Sequence, residues 1–412
     1  MRPFVLALCV LATASAALGQ QQSRYRLERI IVEGSRVDDS IVRGEARLAE
    51  EETYGEEDFQ QAVYRVRRLP FVTDATYRIE PGVTAGGTTL VIRILDVTPV
   101  FYDFNGSGTR LSDGETVRDG SALIGGRWLL NNLGVVEGAV QKSDNLDGLN
   151  VGLAYRAYNI MGTGGFASIA IAQRFKSKLR DYDPSMAAML GYPLTQRQSV
   201  TLALSRSGSS LTREIDLNDD DDDDDDDHSD KEDNFDLTNG DTFTFADLRW
   251  WYESIDDPMF ATRGVSVSGG PNWSSAKFTF ENFDAVARKI VPGELETEAY
   301  GLGLDASAYR VLFGRNVGFI RLSGNGTRSQ EVEVETVEGV ARAGIAHDFH
   351  SYAAGVLRPI KARLEVGAAY RTTRRTEPGL DEVSDNDTSA EAAFVLRHRW
   401  GTFRLTGTYL TD

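Results

Sequence analysis

Ala362-Arg363-Leu364-Glu365-Val366-Gly367-Ala368-Ala369-Tyr370 decides the fold class. Ala362, Leu364, Val366, Ala368 and Tyr370 share one parity, and Arg363, Glu365, Gly367 and Ala369 share the other. A period of two belongs to a strand with unlike faces, whereas a helix would repeat every 3.6 residues or so. The pattern recurs outward from this segment. Phe403, Leu405, Gly407 and Tyr409 interleave with Thr402, Arg404, Thr406 and Thr408. Val200, Leu202 and Leu204 interleave with Thr201, Ala203 and Ser205, and Ala246, Leu248, Trp250 and Tyr252 with Asp247, Arg249 and Trp251. Alternating segments of about ten residues between turn signals mark a transmembrane β-barrel, one parity facing lipid and the other the lumen. Trp250, Tyr252, Trp400 and Tyr409 lie near segment ends, where interfacial aromatics belong. A secreted β-sandwich also alternates. Nearly uninterrupted hairpins from Pro99 onward, with arginines on the polar parity, weigh against it. The expectation is an all-β transmembrane antiparallel β-barrel with an even strand number, 12–16.

Average composition conceals this. The chain has 412 residues, 44 Lys+Arg against 62 Asp+Glu, a net charge of -18 and 41% hydrophobic residues. Its mean hydropathy is -0.31. A helical span needs about 20 consecutive apolar residues, and the one long apolar run is Phe4 to Leu18. A polytopic helical membrane protein is therefore excluded. Barrel strands give only every second residue to lipid, so their average looks soluble. The acidic balance argues against nucleic acid, whose phosphates call for Lys and Arg.

The acidity is concentrated. Asp219 to Asp227 is nine consecutive aspartates, and the stretch Asp216 to Asp233 holds 13 acids and one lysine. Such a run repels itself and cannot pack. Long insertions between barrel strands lie outside, since periplasmic turns are short. Residues 209–240 are therefore expected as an acidic external loop. It lacks the spacing of a calcium loop. Weak cation attraction at Asp219, Asp223 and Asp227, with bridging to lipopolysaccharide phosphates, stands beside a basic partner and a merely solvated loop.

Met1-Arg2-Pro3, the apolar Phe4 to Ala12 and the small residues Ala14 to Gly19 form a secretory signal peptide, residues 1–19, cleaved after Gly19 or after Ala16. Cleavage removes Cys9, the only cysteine, and with it any thiol nucleophile or disulfide. Residues 25–98 read as a mixed domain. Tyr25 to Val32 is extended, and a helical stretch runs around Val37 to Ala49. Phe59, Ala62, Val63, Val66 and Leu69 form one apolar stripe on a helical period. Glu56, Glu57 and Asp58 begin that helix and Arg65, Arg67 and Arg68 end it, which suits its dipole. Val72 to Glu80 and Thr89 to Val97 make a hairpin. The order is strand, helix, helix, strand, strand. Residues 99–132 are a linker or an extra barrel segment, and 133–412 the barrel.

That order, with Glu33-Gly34-Ser35 and Leu69-Pro70-Phe71-Val72-Thr73-Asp74-Ala75, resembles a POTRA domain of the BamA/TamA superfamily. Asn159-Ile160-Met161-Gly162-Thr163-Gly164 resembles that family's Asn-x-x-Gly-x-Gly turn. Asp257-Pro258-Met259-Phe260-Ala261-Thr262-Arg263-Gly264 resembles its Pro-Thr-Arg/Asp-Gly turn. The sixth-loop motif Val-Arg-Gly-Phe/Tyr is absent after Gly264, and the chain ends Tyr409-Leu410-Thr411-Asp412 rather than on an aromatic. The resemblance implies an outer-membrane location, with the POTRA domain in the periplasm and the acidic loop outside. The implied work is non-enzymatic assembly or translocation of polypeptides, without a cofactor. Implied partners are unfolded outer-membrane or secreted polypeptides, outer-membrane lipid and lipopolysaccharide, and periplasmic accessory proteins. A POTRA edge strand bearing Val72, Thr73, Ala75, Tyr77 and Ile79 would hold an extended substrate by β-augmentation. A barrel seam would set Val135 and Val136 of Gly134–Lys142 against Phe403, Leu405 and Tyr409. The missing loop motif keeps a second reading open: a passive outer-membrane channel or a structural, surface-contact barrel. No catalytic constellation is evident. His347-Asp348-Phe349-His350 has a possible two-histidine spacing but no third ligand.

Overall fold

A computed structural model describes residues 24–96, 99–111, 115–130, 134–144, 146–175, 182–216, 234–257, 261–284, 289–329, 332–336, 339–343, 346–359, 362–376, 383–398 and 401–411. The signal-peptide reading falls outside them. The N-terminal domain comprises β1 (Arg24–Glu33), α1 (Asp39–Ala46), β2 (Thr53–Gly55), α2 (Glu56–Val66), β3 (Val72–Pro81) and β4 (Gly87–Asp96). The expected order is present, with one short extra strand before the second helix. The sheet order is β2-β1-β4-β3. β1 and β4 run parallel, and the other pairs antiparallel.

Local chemistry sets both helices. The Asp38 carboxylate caps α1, accepting from the Ser40 N–H at 2.8 Å. The helix stops at Arg47, whose φ of 53° is left-handed. At the start of α2 the Asp58 carboxylate accepts from the Gly55 N–H at 2.9 Å. The stripe Phe59, Ala62, Val63, Val66 and Leu69 is buried against Leu27, Ile30, Leu90, Ile92 and Ile94. Phe59 is fully buried, and its truncation to alanine should cost about 3–5 kcal/mol.

The barrel strands are β5 (Val100–Arg110), β6 (Thr116–Leu129), β7 (Val135–Ser143), β8 (Leu146–Ile160), β9 (Gly165–Phe175), β10 (Tyr182–Pro193), β11 (Gln198–Asp216), β12 (Asn234–Glu253), β13 (Gly264–Asp284), β14 (Lys289–Phe313) and β15 (Asn316–Ser329). A separate hairpin follows, β16 (Val332–Thr336) with β17 (Gly339–Ala343). The wall then resumes with β18 (Ala346–Pro359), β19 (Ala362–Thr376), β20 (Val383–His398) and β21 (Gly401–Thr411). Residues 99–132 thus supply two barrel strands, β5 and β6.

The closed barrel has 15 strands, which corrects the even number expected. An antiparallel meander of odd length returns with its last strand pointing the same way as its first. β21 accordingly pairs with β5 in parallel, from Gly401 opposite Tyr102 to Tyr409 opposite Arg110. The even rule assumes antiparallel closure, and a parallel pair lifts it.

Parity divides the wall. Leu364, Val366 and Tyr370 of β19 point outward and are exposed, while Glu365 and Ala369 are buried on the lumen side. Ile169 and Ile171, Met186 and Leu190, Leu202 and Leu204, and Leu302 and Leu304 continue the outward apolar surface. No helix among the described residues is long and apolar enough to cross a membrane. β14 marks one edge of the apolar band. Leu304, Leu302 and Tyr300 give way on the same face to Glu298, Glu296 and Glu294, with Trp273 of β13 beside Tyr300. A tilted spanning strand needs about 9–11 residues. β11 to β14 have 19, 20, 21 and 25 and project beyond the band. The projecting end is the one away from the N-terminal domain. There β11 stops at Asp216 and β12 resumes at Asn234, paired with each other. Strand pairing therefore occupies part of the expected 209–240 loop. The aspartate run itself, with Asp219, Asp223 and Asp227, lies outside the described residues.

Candidate functional site at the barrel mouth and seam

Three short barrel turns meet the N-terminal domain. The β8–β9 turn carries Asn159, whose φ of 49° is left-handed, a conformation asparagine tolerates. Its Oδ1 accepts the Gly164 N–H at 2.9 Å and its Nδ2 donates to the Ser40 carbonyl of α1 at 2.8 Å. Gly162 and Gly164 have φ of 76° and 72°. A Cβ on Gly164 would sit 2.7 Å from the Gly44 carbonyl oxygen, so glycine there lets α1 approach.

The β12–β13 turn is organised by Asp256. Its carboxylate accepts the N–H groups of Thr262 and Arg263 at 2.8 and 3.1 Å, and the Thr262 hydroxyl. Arg263 then donates to Gln60 Oε1 of α2 at 2.9 Å, and Gln61 donates to the Ser254 carbonyl at 3.0 Å. Gly264 has φ 108°, and a Cβ there would meet the Ser254 carbonyl. Pro258 lies outside the described residues. The two turn motifs, read from sequence only as turns, are both anchors of the N-terminal domain.

Arg65 completes the junction. It is 6% exposed and donates to three backbone carbonyls: Glu45 at 3.3 Å, Ala46 at 2.5 Å, and Gln196 of the β10–β11 turn at 2.8 Å. Burial pulls its pKa down to about 9, which leaves it charged at neutral pH. Arg68 forms a two-pronged ion pair with Glu253 of β12. Arg197 lies 3.6 Å from Glu57 and 3.8 Å from Asp58. Burial also raises the pKa of Glu45, against the pull of Arg47 and Arg65. The apolar core runs across the junction: Val135, Leu129 and Tyr158 pack with it, and Phe71 meets Tyr158 edge-on at 6.0 Å.

That contact corrects the expected seam. Val135 is 1% exposed inside the junction. Val135 and Val136 belong to β7, which is paired on both sides, to β6 and β8. Phe403, Leu405 and Tyr409 do lie at the closure, but their partner is β5. The sequence hides the first strand because residues 100–129 alternate weakly, with glycines at 106, 108, 114, 120, 125 and 126. The seam is lightly built. Gly106 faces Leu405, Ser107 faces Thr406 and Gly108 faces Gly407.

β3 is an edge strand of the N-terminal sheet. Val72 and Ala75 are buried, and Tyr77 and Ile79 pack against the core, while Thr73 is half-buried. The exposed row of β3 is Asp74, Thr76 and Arg78, and at Ala75 the carbonyl accepts from Arg67 Nε at 2.8 Å while the N–H donates to Asp74 at 2.8 Å. Among the described residues no group of three or more His, Cys, Asp or Glu is placed to hold a metal ion. His350 is exposed.

No protein-family model matches the chain, and no curated protein matches it. Solved structures do match. Barrels named BamA and CdiB are its structural neighbours. The crystal structure of BamA from Haemophilus ducreyi lacking POTRA domains 1-3 is 16% identical, with TM-score 0.42, over 94% of this chain and 81% of that one. CdiB from Acinetobacter baumannii is 11% identical, with TM-score 0.46, over 91% and 61%. CdiB from Escherichia coli is 12% identical, with TM-score 0.40, over 90% and 72%.

Proposed function

We propose that this chain is an outer-membrane protein of the BamA/TamA type that assembles or translocates polypeptides without enzymatic chemistry. The observation that carries the reading is one arrangement. An α+β domain whose strand β3 ends the sheet, with no further strand beside it among the described residues and only its Ala75 carbonyl taken by Arg67, is fixed, by the two family-like turn motifs, to the mouth of a barrel with a lightly built seam. An edge strand offers unpaired N–H and C=O groups to an extended chain. The N-terminal domain acts as a periplasmic POTRA domain, and an unfolded polypeptide pairs with β3 before reaching the barrel. The acidic run then lies outside the cell.

The test is reconstitution of the full chain in liposomes with an unfolded barrel substrate. Faster insertion than in empty liposomes is expected. A photo-crosslinking side chain at Thr76, on the edge strand, should capture the substrate. One at Arg29, exposed on the inner strand β1, should not. No acceleration, or equal capture at both positions, contradicts the reading. A passive channel is the second reading, favoured by the charged lumen face that carries Arg249, Arg321 and Glu365. Ion conductance without accelerated insertion would support it.

A further inference from the structure

We propose that the lumen wall formed by β15 and β18–β21 is an oxyanion-binding site, taking a small phosphate- or carboxylate-bearing ligand. Arg321, Arg363, Arg371 and Arg404 line one cavity of about 550 Å³ in which, among the described residues, two carboxylates take part, Glu365 and Glu391. That volume suits a small ligand. The carboxylates are already engaged. Glu365 takes both prongs of Arg321, at 2.5 and 3.0 Å, and also the Arg363 Nε at 3.0 Å. It is 9% exposed. Glu391 accepts from Arg371 and from the Ser389 hydroxyl at 3.4 Å.

Arg404 is left over. It makes no ion pair or hydrogen bond among the described residues, and it faces the cavity beside Thr406 and Thr408. Four guanidinium groups against two carboxylates give the described lining of this cavity a formal excess of two positive charges, with Asp387 outside it, in register with Arg371. On another part of the wall the balance reverses. Asp247 and Asp305 flank Arg249 at 3.4 and 3.1 Å. An anion in the lumen is thus drawn toward β18–β21. Arg321 is held over the Phe319 ring at 4.5 Å and is committed to Glu365. The ligand would be gripped by Arg404 and by the free donors of Arg371, with the two threonine hydroxyls alongside. A guanidinium fork matches two-oxygen acceptors, and such charge-assisted bonds are the strong ones. The site does not depend on polypeptide handling, and either proposal can fail alone.

The test is calorimetric titration of the full chain in a non-ionic detergent at low ionic strength. Inorganic phosphate and citrate are the two probes. Saturable binding of at least one is expected, weakened roughly tenfold or more by Arg404→Ala, less by Arg404→Lys, and also by Arg371→Ala. Arg29→Ala, exposed on β1 of the N-terminal domain, should leave binding of both probes unchanged. Phosphate binding alone would indicate a phosphate-bearing ligand such as a headgroup, and citrate binding alone a carboxylate ligand. Saturable binding of neither probe overturns the proposal, as does binding that Arg404→Ala leaves unchanged. Folding of each variant is checked by heat-modifiable migration. If Arg404→Ala does not fold, Arg404→Gln decides, together with displacement of the bound probe by sulfate in the parent protein.

Discussion

Arg65 joins three pieces of backbone: the end of α1, the helix it sits on, and the β10–β11 turn. Its truncation to alanine orphans the carbonyls of Glu45, Ala46 and Gln196 in a buried site. Losing bonds of this kind should cost about 3 kcal/mol. The expected result is faster hydrogen exchange across residues 24–96 of the full chain, with barrel strands unaffected. Unchanged exchange there would show that the junction does not depend on Arg65. From sequence this residue was visible only as a last-turn cation suited to the helix dipole. Its acceptors are backbone oxygens, which any residue supplies, so nothing in the sequence marked them. Asn159 and Arg263 were legible as turn residues, but their reach to Ser40 and Gln60 spans 119 and 203 positions. Glu45 gives a second prediction. Burial lifts its folded pKa above the ordinary 4.5. Between 4.5 and the raised value the folded chain holds more protons than the unfolded one, so stability falls as pH rises through that window. Glu45→Gln removes the loss. Exchange in the N-terminal domain, corrected for intrinsic rates, should be slower than in the parent at about pH 8, and the two should converge below about pH 4. An offset equal at both pH values would point to packing instead.

The strands that alternate were readable because a period of two fixes faces locally. Leu364 and Val366 turn outward and Glu365 inward, as their spacing requires. The projecting parts of β11 to β14 were not readable. Past Ser205 the sequence Arg206-Ser207-Gly208-Ser209-Ser210 has no apolar parity, since beyond the lipid band both faces of a strand meet water. Phe243 and Phe245 broke the pattern too. They sit on the same parity as Asp241 and Asp247 of β12 and remain exposed, so the inner face there mixes aromatic with acidic side chains. The β11–β12 hairpin therefore stands on continuous pairing from Gln198 opposite Tyr252 to Asp216 opposite Asn234. Deleting Asp219–Asp227 should leave folding intact, and relief of like-charge repulsion can only help. Heat-modifiable migration identical to the parent is the expected readout. A barrel that fails to form would mean the run has a structural role in pairing these two strands.

Closure is a property of the whole chain, and no local pattern carries it. Whether β21 returns parallel or antiparallel to β5 depends on the parity of every strand between them, so one strand more or fewer reverses the answer. The consequence is mechanical. Fourteen antiparallel pairings hold the rest of the wall along the continuous chain, whereas β5 and β21 lie at opposite ends of the barrel sequence and meet through their ladder and a hydrogen bond from the Thr406 hydroxyl to the Gly106 carbonyl at 3.5 Å. That ladder includes a glycine opposite a glycine, Gly108 and Gly407, with nothing within 4 Å of a Cβ built on either. The same space makes the seam lockable. Cysteines at Gly108 and Gly407 would add a cross-link without a clash, and partners in one ladder lie within the roughly 4.4–6.8 Å between Cα atoms that a disulfide spans. The chain's single cysteine is Cys9, so a variant in which Cys9 is replaced or removed offers no competing thiol. If polypeptides enter the membrane through this seam, the oxidised double variant should fold normally, lose accelerated insertion in liposomes and regain it with reductant. Insertion that persists with the bond shown intact would place the route elsewhere. Loss that reductant fails to restore would assign the defect to the substitutions themselves.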